Sequence, residues 1–85
     1  MAPQEIRKHH IKRPFRPFRI HMNDGSEYEV TDPFHMTVNM LDVVVGWDPD
    51  EGGIPTRSMY LSPSHVSRIE PLDMEPIEEK VPGSS

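Results

Sequence analysis

Five histidines give this chain its widest choice of chemistry, since imidazole can bind a metal or move a proton near neutral pH. His9 and His10 are adjacent, and neighbouring side chains of an extended strand point in opposite directions. His21, His35 and His65 stand far apart, without the His-x-His or His-x3-His spacing that preforms a site. No metal site is expected. Asp48-Pro49-Asp50-Glu51-Gly52 opens like a calcium loop, but the twelfth position, where a bidentate glutamate belongs, is Met59. A proline- and glycine-bearing hairpin loop accounts for these residues with less. For nucleophilic catalysis the polar candidates are Ser58, Ser62, Ser64, His65 and Asp48. Ser62 and Ser64 are better used as caps of a helical turn, and no spacing selects a triad. The chain is expected not to be an enzyme, and no cofactor motif is present.

A second constellation interleaves cations with rings: Arg13, Phe15, Arg16, Phe18, Arg19 and His21. Guanidinium groups on phosphates, with a ring stacked on a base, would cradle single-stranded RNA or DNA, and Phe15, Arg16 and Arg19 would carry that role with the basic arm before them. Phe15 and Phe18, however, are two of only three phenylalanines, and a small core needs them. Charge is divided sharply. Residues 1–21 hold six Lys or Arg against one acid, a net +5, and residues 22–85 hold three against thirteen, a net -10. Acids on the body repel phosphate, so nucleic acid is the second choice. The first is a protein partner or self-association, with Arg7, Lys8, Lys12, Arg13, Arg16, Arg19 and His21 as candidate partner-binding residues.

These residues must be positioned by a small scaffold. The chain has 85 residues, of which 34% are hydrophobic and ten are proline, with no cysteine, so one small core stabilised by packing alone is expected. No stretch approaches the roughly 20 apolar residues of a membrane span, and a cytoplasmic protein without a membrane partner is the expectation. Phe15 to Val30 reads as a β-hairpin. Phe18, Ile20 and Met22 alternate with Arg19 and His21, Tyr28 and Val30 alternate with Glu27 and Glu29, and Asp24-Gly25 supplies the turn.

Thr31-Asp32-Pro33-Phe34-His35-Met36 reads as a strand end and one helical turn, with Asp32 as cap and Pro33 in the first position. Leu41 to Trp47 reads as the central strand, with Leu41, Val43, Val45 and Trp47 on one face and Val44 on the other. Val44 and Phe18 are expected in the core. Ile54 to Leu61 follows as a strand with two mixed faces, Ser62-Pro63 starts a second turn, and Val66 to Glu70 ends the sheet with Ile69 as its core residue. Ile6 and Ile11, five residues apart, make no helical stripe.

The expected organisation is a basic flexible arm over 1–13, a small β domain over 14–73 and an acidic disordered tail over 74–85. Strand order resembles the five-stranded antiparallel barrels of the SH3-like and Sm-like kind, at the level of fold only. Lys12-Arg13-Pro14-Phe15-Arg16-Pro17-Phe18-Arg19-Ile20, Asp24-Gly25, Val43-Val44-Val45 and Val66-Ser67-Arg68-Ile69-Glu70 together resemble a group of short uncharacterised bacterial proteins. The likeness covers about residues 12–72 and implies no activity.

Overall fold

In the computed structural model, which describes residues 1–76, β1 (Phe18–Met22) and β2 (Glu27–Val30) form the hairpin read from the sequence. They pair antiparallel, with Phe18 opposite Val30 and Ile20 opposite Tyr28, so the apolar residues of both strands share one face. Gly25 takes φ +91°, a left-handed conformation that a side chain would strain, and the Asp24 carboxylate accepts from the Ser26 amide at 2.9 Å and hydroxyl at 2.6 Å. The two hydrogen bonds, the hydroxyl's foremost, hold the Asp24 carboxyl below its usual range.

The described residues are mainly β, with six strands in two antiparallel sheets of three and one short helix. β6 (Val66–Pro71) flanks β1 in the order β2-β1-β6, and β3 (Met36–Val38), β4 (Val43–Pro49) and β5 (Pro55–Leu61) form the second sheet in that order. The sheets do not close into a barrel. Between β2 and β3 the 3₁₀ turn Pro33–His35 is capped as expected, Asp32 accepting from the Phe34 amide at 2.9 Å. The turn Pro63–His65 also forms, but Ser62 does not cap it: its hydroxyl instead lies 2.9 Å from that of Ser64.

Both sheets line one core of Phe15, Phe18, Ile20, Val30, Met36, Val43, Val45, Leu61 and Val66, joined by Ile6. Three sequence expectations are corrected here. Val44 is only half-buried, because it stands on the outer face between Thr37 and Tyr60, both exposed. Leu41 is 87% exposed, because Asn39 and Asp42 bond each other through backbone and side chains, putting Met40 and Leu41 at the tip of a tight turn before β4 begins. In β6 the buried residue is Val66, with Ile69 half-buried. A β-bulge between His21 and Met22 in the β1–β6 ladder explains this, since one extra residue, Ser67, reverses the parity of the strand and swings Val66 inward.

The largest departure lies in residues 1–13. In place of a loose arm the chain forms α1 (Pro3–Ile11), started by proline in its first turn and carrying Lys8 in its last, where a cation suits the helix dipole. Ile6 is fully buried, His9 meets the Phe18 ring at 5.7 Å, and His10 Nε2 donates to the Pro33 carbonyl at 2.7 Å. Residues 6, 9 and 10 are spaced i, i+3, i+4, so they form one face. The stripe is there, but histidines supply two-thirds of it and Ile11 is half exposed. The tail expected over 74–85 falls outside the described residues from 77 onward.

Candidate functional site

The outer face of the β2-β1-β6 sheet is polar by strand alternation, and register decides which charges meet. Arg19 lies opposite Glu29 on one side and Glu70 on the other, and His21 lies opposite Glu27 and Arg68. The Arg19 guanidinium pairs with Glu29 through Nη2, reaches Glu70 Oε1 at 3.4 Å through Nη1 and lies 3.9 Å from Glu27 through Nε. His21 Nε2 donates to Glu70 Oε1 at 2.8 Å, and its Nδ1 lies 3.7 Å from Glu27. The hydrogen bond from His21, helped by the charges of Arg19 and Arg68, keeps the Glu70 carboxyl below its usual range. The hydrogen bond to Glu29 raises Arg19 in the same way.

Beside this ladder, where the two sheets diverge, Glu27, Tyr28, Glu29 and Trp47 line an open cleft of about 410 Å3. The Tyr28 and Trp47 rings stand 6.0 Å apart, tilted by 46°, and bridge β2 to β4. Tyr28 points inward by alternation and Trp47 continues the inner face of Val43 and Val45, so both cover the rim of the core. Glu27 and Glu29, on the opposite face of the same strand, remain about half exposed, at 50% and 52% of the side chain. The cleft therefore presents two π-surfaces, which attract cations, beside a strand whose carboxylates face the ladder and are engaged there by Arg19 and His21.

The seven candidate partner-binding residues divide into two groups. Arg7, Lys8, Lys12, Arg13 and Arg16 are exposed on α1 and the segment after it, with Lys8 paired to Glu5 at 3.3 Å and Arg13 bonded to the His10 carbonyl at 2.8 Å. Arg19 and His21 belong instead to the acidic ladder. Phe15 and Phe18 are 0% and 1% exposed, their rings 5.7 Å apart, so neither offers a face for a base. That burial corrects the role given to Phe15 in nucleic-acid binding. Asp50, first weighed as a calcium ligand, accepts instead from the amides of Gly52 and Ile54, both at 2.9 Å, to close the β4–β5 hairpin.

His10, His21 and His35 each direct Nε2 at an oxygen, with His35 reaching the Gly53 carbonyl at 3.1 Å. Among the described residues no three His, Asp or Glu gather as a metal site would need. The cleft was not foreseen in the sequence. Its only signal there was Tyr28 between two glutamates, with the single tryptophan on a strand of the other sheet.

No protein-family model, no curated protein and no solved structure matches this chain. No helix among the described residues is long and apolar enough to cross a membrane. The geometry alone bears on function. It consists of a paired polar ladder, a cleft lined by two aromatic rings and two sheets whose outermost strands include β5 and β6.

Proposed function

We propose that the chain is a non-enzymatic assembly module that acts through protein–protein contacts, with other copies of itself as first partner. Counting β2 and β3 as one strand bent at Pro33–His35 gives five strands in the order of an SH3-like or Sm-like barrel, and the two sheets are read as the halves of such a barrel. The setting is cytoplasmic.

The observation that carries the reading is β5. It is a seven-residue edge strand on which only Leu61 is buried, and it presents Tyr60 at 70% and Met59 at 43% exposure, next to Ile54 at 66%. Monomeric proteins blunt long edges with charge, proline or a covering element, because a bare ladder of amides and carbonyls invites another strand. Here proline stands only at the first position, and a single charge, Arg57, lies within the strand. β6 is an outer strand of the other sheet, and head-to-tail pairing of β5 on a neighbour's β6 would cover two of the four outer strands.

Light scattering on the eluting peak of a sizing column tests this. The wild-type chain should run at a multiple of 9.8 kDa, and a Met59→Lys, Tyr60→Lys chain at the monomer mass with an unchanged β-sheet circular dichroism spectrum. A wild-type chain that stays monomeric at the highest soluble concentration would overturn the proposal.

A further inference from the structure

Lys12 and Arg16 are complementary in charge to the Tyr28/Trp47 cleft, and neither lines it in its own chain. Lys12 and Arg16 are exposed and make no ion pair among the described residues. The cleft carries the opposite charge. Arg19 and Arg68 are the two full cations set beside the three carboxylates of Glu27, Glu29 and Glu70, so the ladder keeps net negative charge along the rim where Glu27 and Glu29 line the cleft.

The segment is anchored in its own chain. Helix α1 is held by buried Ile6, by His9 against Phe18 and by His10 on the Pro33 carbonyl, and Arg16 is fixed between buried Phe15 and buried Pro17.

We infer that Lys12 and Arg16 of one copy dock in the Glu27/Tyr28/Glu29/Trp47 cleft of a second copy. A flat guanidinium or a Lys ammonium over the indole face gains cation–π attraction, and the half-exposed glutamates at the rim add longer-range charge attraction while it stays partly solvated. About 410 Å3 accommodates such a side chain, and ligand clefts generally begin near 300 Å3. The charge split of +5 over residues 1–21 against -10 over the remainder supplies longer-range attraction between copies, fading as salt shortens the Debye length from roughly 30 Å to 8 Å or less. The inference rests on the self-association reading but uses a surface distinct from the β5 edge.

Trp47 is the only tryptophan, so its emission reports on the cleft alone. Whole chain is diluted at low and at high salt while emission and mass are both followed, for wild type, for Lys12→Glu with Arg16→Glu, and for Lys12→Arg with Arg16→Lys. In wild type at low salt, Trp47 emission should change on dilution, and the change should be abolished by high salt. The charge-reversed chain should show no change and the conservative chain should keep it. Both altered side chains are exposed and outside the core, and equal thermal melts will confirm that folding is intact. An unchanged dilution response in the charge-reversed chain overturns the inference. An oligomeric wild type whose Trp47 does not respond overturns it too, while leaving edge-strand assembly standing. A monomer at every concentration removes both.

Discussion

His21 Nε2 donates to Glu70 Oε1 at 2.8 Å and so ties β1 to β6 across 49 residues of sequence. The carboxylate accepts on the oxygen that also faces Arg19, so two strands and two donors converge on one atom. The folded state holds Glu70 below its ordinary value of 4.5, and the unfolded chain binds that proton more readily. Its contribution is therefore complete above pH 4.5 and falls as pH drops toward the lowered folded value. Melting temperature followed from pH 6 to pH 3 should decline less steeply in Glu70→Gln than in wild type over the acid part of that range.

A second pH dependence sits higher. Burial against Phe18, with Lys12 nearby, holds His9 below its ordinary 6.5, so the fold prefers the neutral ring. Stability from this group is complete above pH 6.5 and declines as pH drops toward the folded value. His9→Leu keeps an apolar contact on Phe18 and removes the titration. Its melting temperature should be flatter than wild type between pH 7.5 and pH 5.5, a window in which Glu70 stays ionised.

Ile6 is the buried anchor of α1, and Ile6→Ala should cost about 2–5 kcal/mol in urea unfolding, the range for a buried isoleucine. Ile11, half exposed on the same helix, is the control: Ile11→Ala should stay within about 0.5 kcal/mol. Equal costs would show that α1 does not dock through Ile6.

Gly46 leaves room for the Pro55 ring of β5 against β4. A Cβ there would stand 2.7 Å from Pro55 Cβ and 2.9 Å from its Cγ, both in a rigid ring. Gly46→Ala should destabilise by about 1–3 kcal/mol through overpacking. Combining it with Pro55→Gly, which removes the opposing ring, should cost less than the sum of the two single changes.

Much of the fold was legible because local rules and packing agree. Strand alternation and Asp24-Gly25 give the first hairpin, Asp32-Pro33 gives the capped turn, and the valine run gives β4. Other parts were hidden for physical reasons. The docking stripe of α1 is built from Ile6, His9 and His10, and histidine looks polar until its ring lies on Phe18 or its Nε2 finds a carbonyl. The faces of β5 could not be assigned because a strand at an open edge buries little on either face, here only Leu61. The cleft depends on Tyr28 and Trp47 meeting from different sheets, and no local pattern encodes that approach. Of the candidate binding residues the sequence marked the cations but not their surroundings, because cross-strand register places Arg19 and His21 among three glutamates.

The bulge at Ser67 makes length changes in this chain unequal. One residue added to the exposed turn 50–53 would lengthen a hairpin loop and leave every side chain of β4 and β5 on its present face. One residue removed at Ser67 would restore an unbroken ladder to β1, since the hydroxyl now bonded to the His21 carbonyl at 3.0 Å would be gone with it. Val66 would then stand two residues before Ile69 and opposite Met22, so that both would face the core with no bulge between them. Two buried or half-buried positions three residues apart cannot share a face of a regular strand. The extra residue is therefore a spacer in the code of β6, and tolerance to insertion or deletion will follow strand parity more closely than surface exposure.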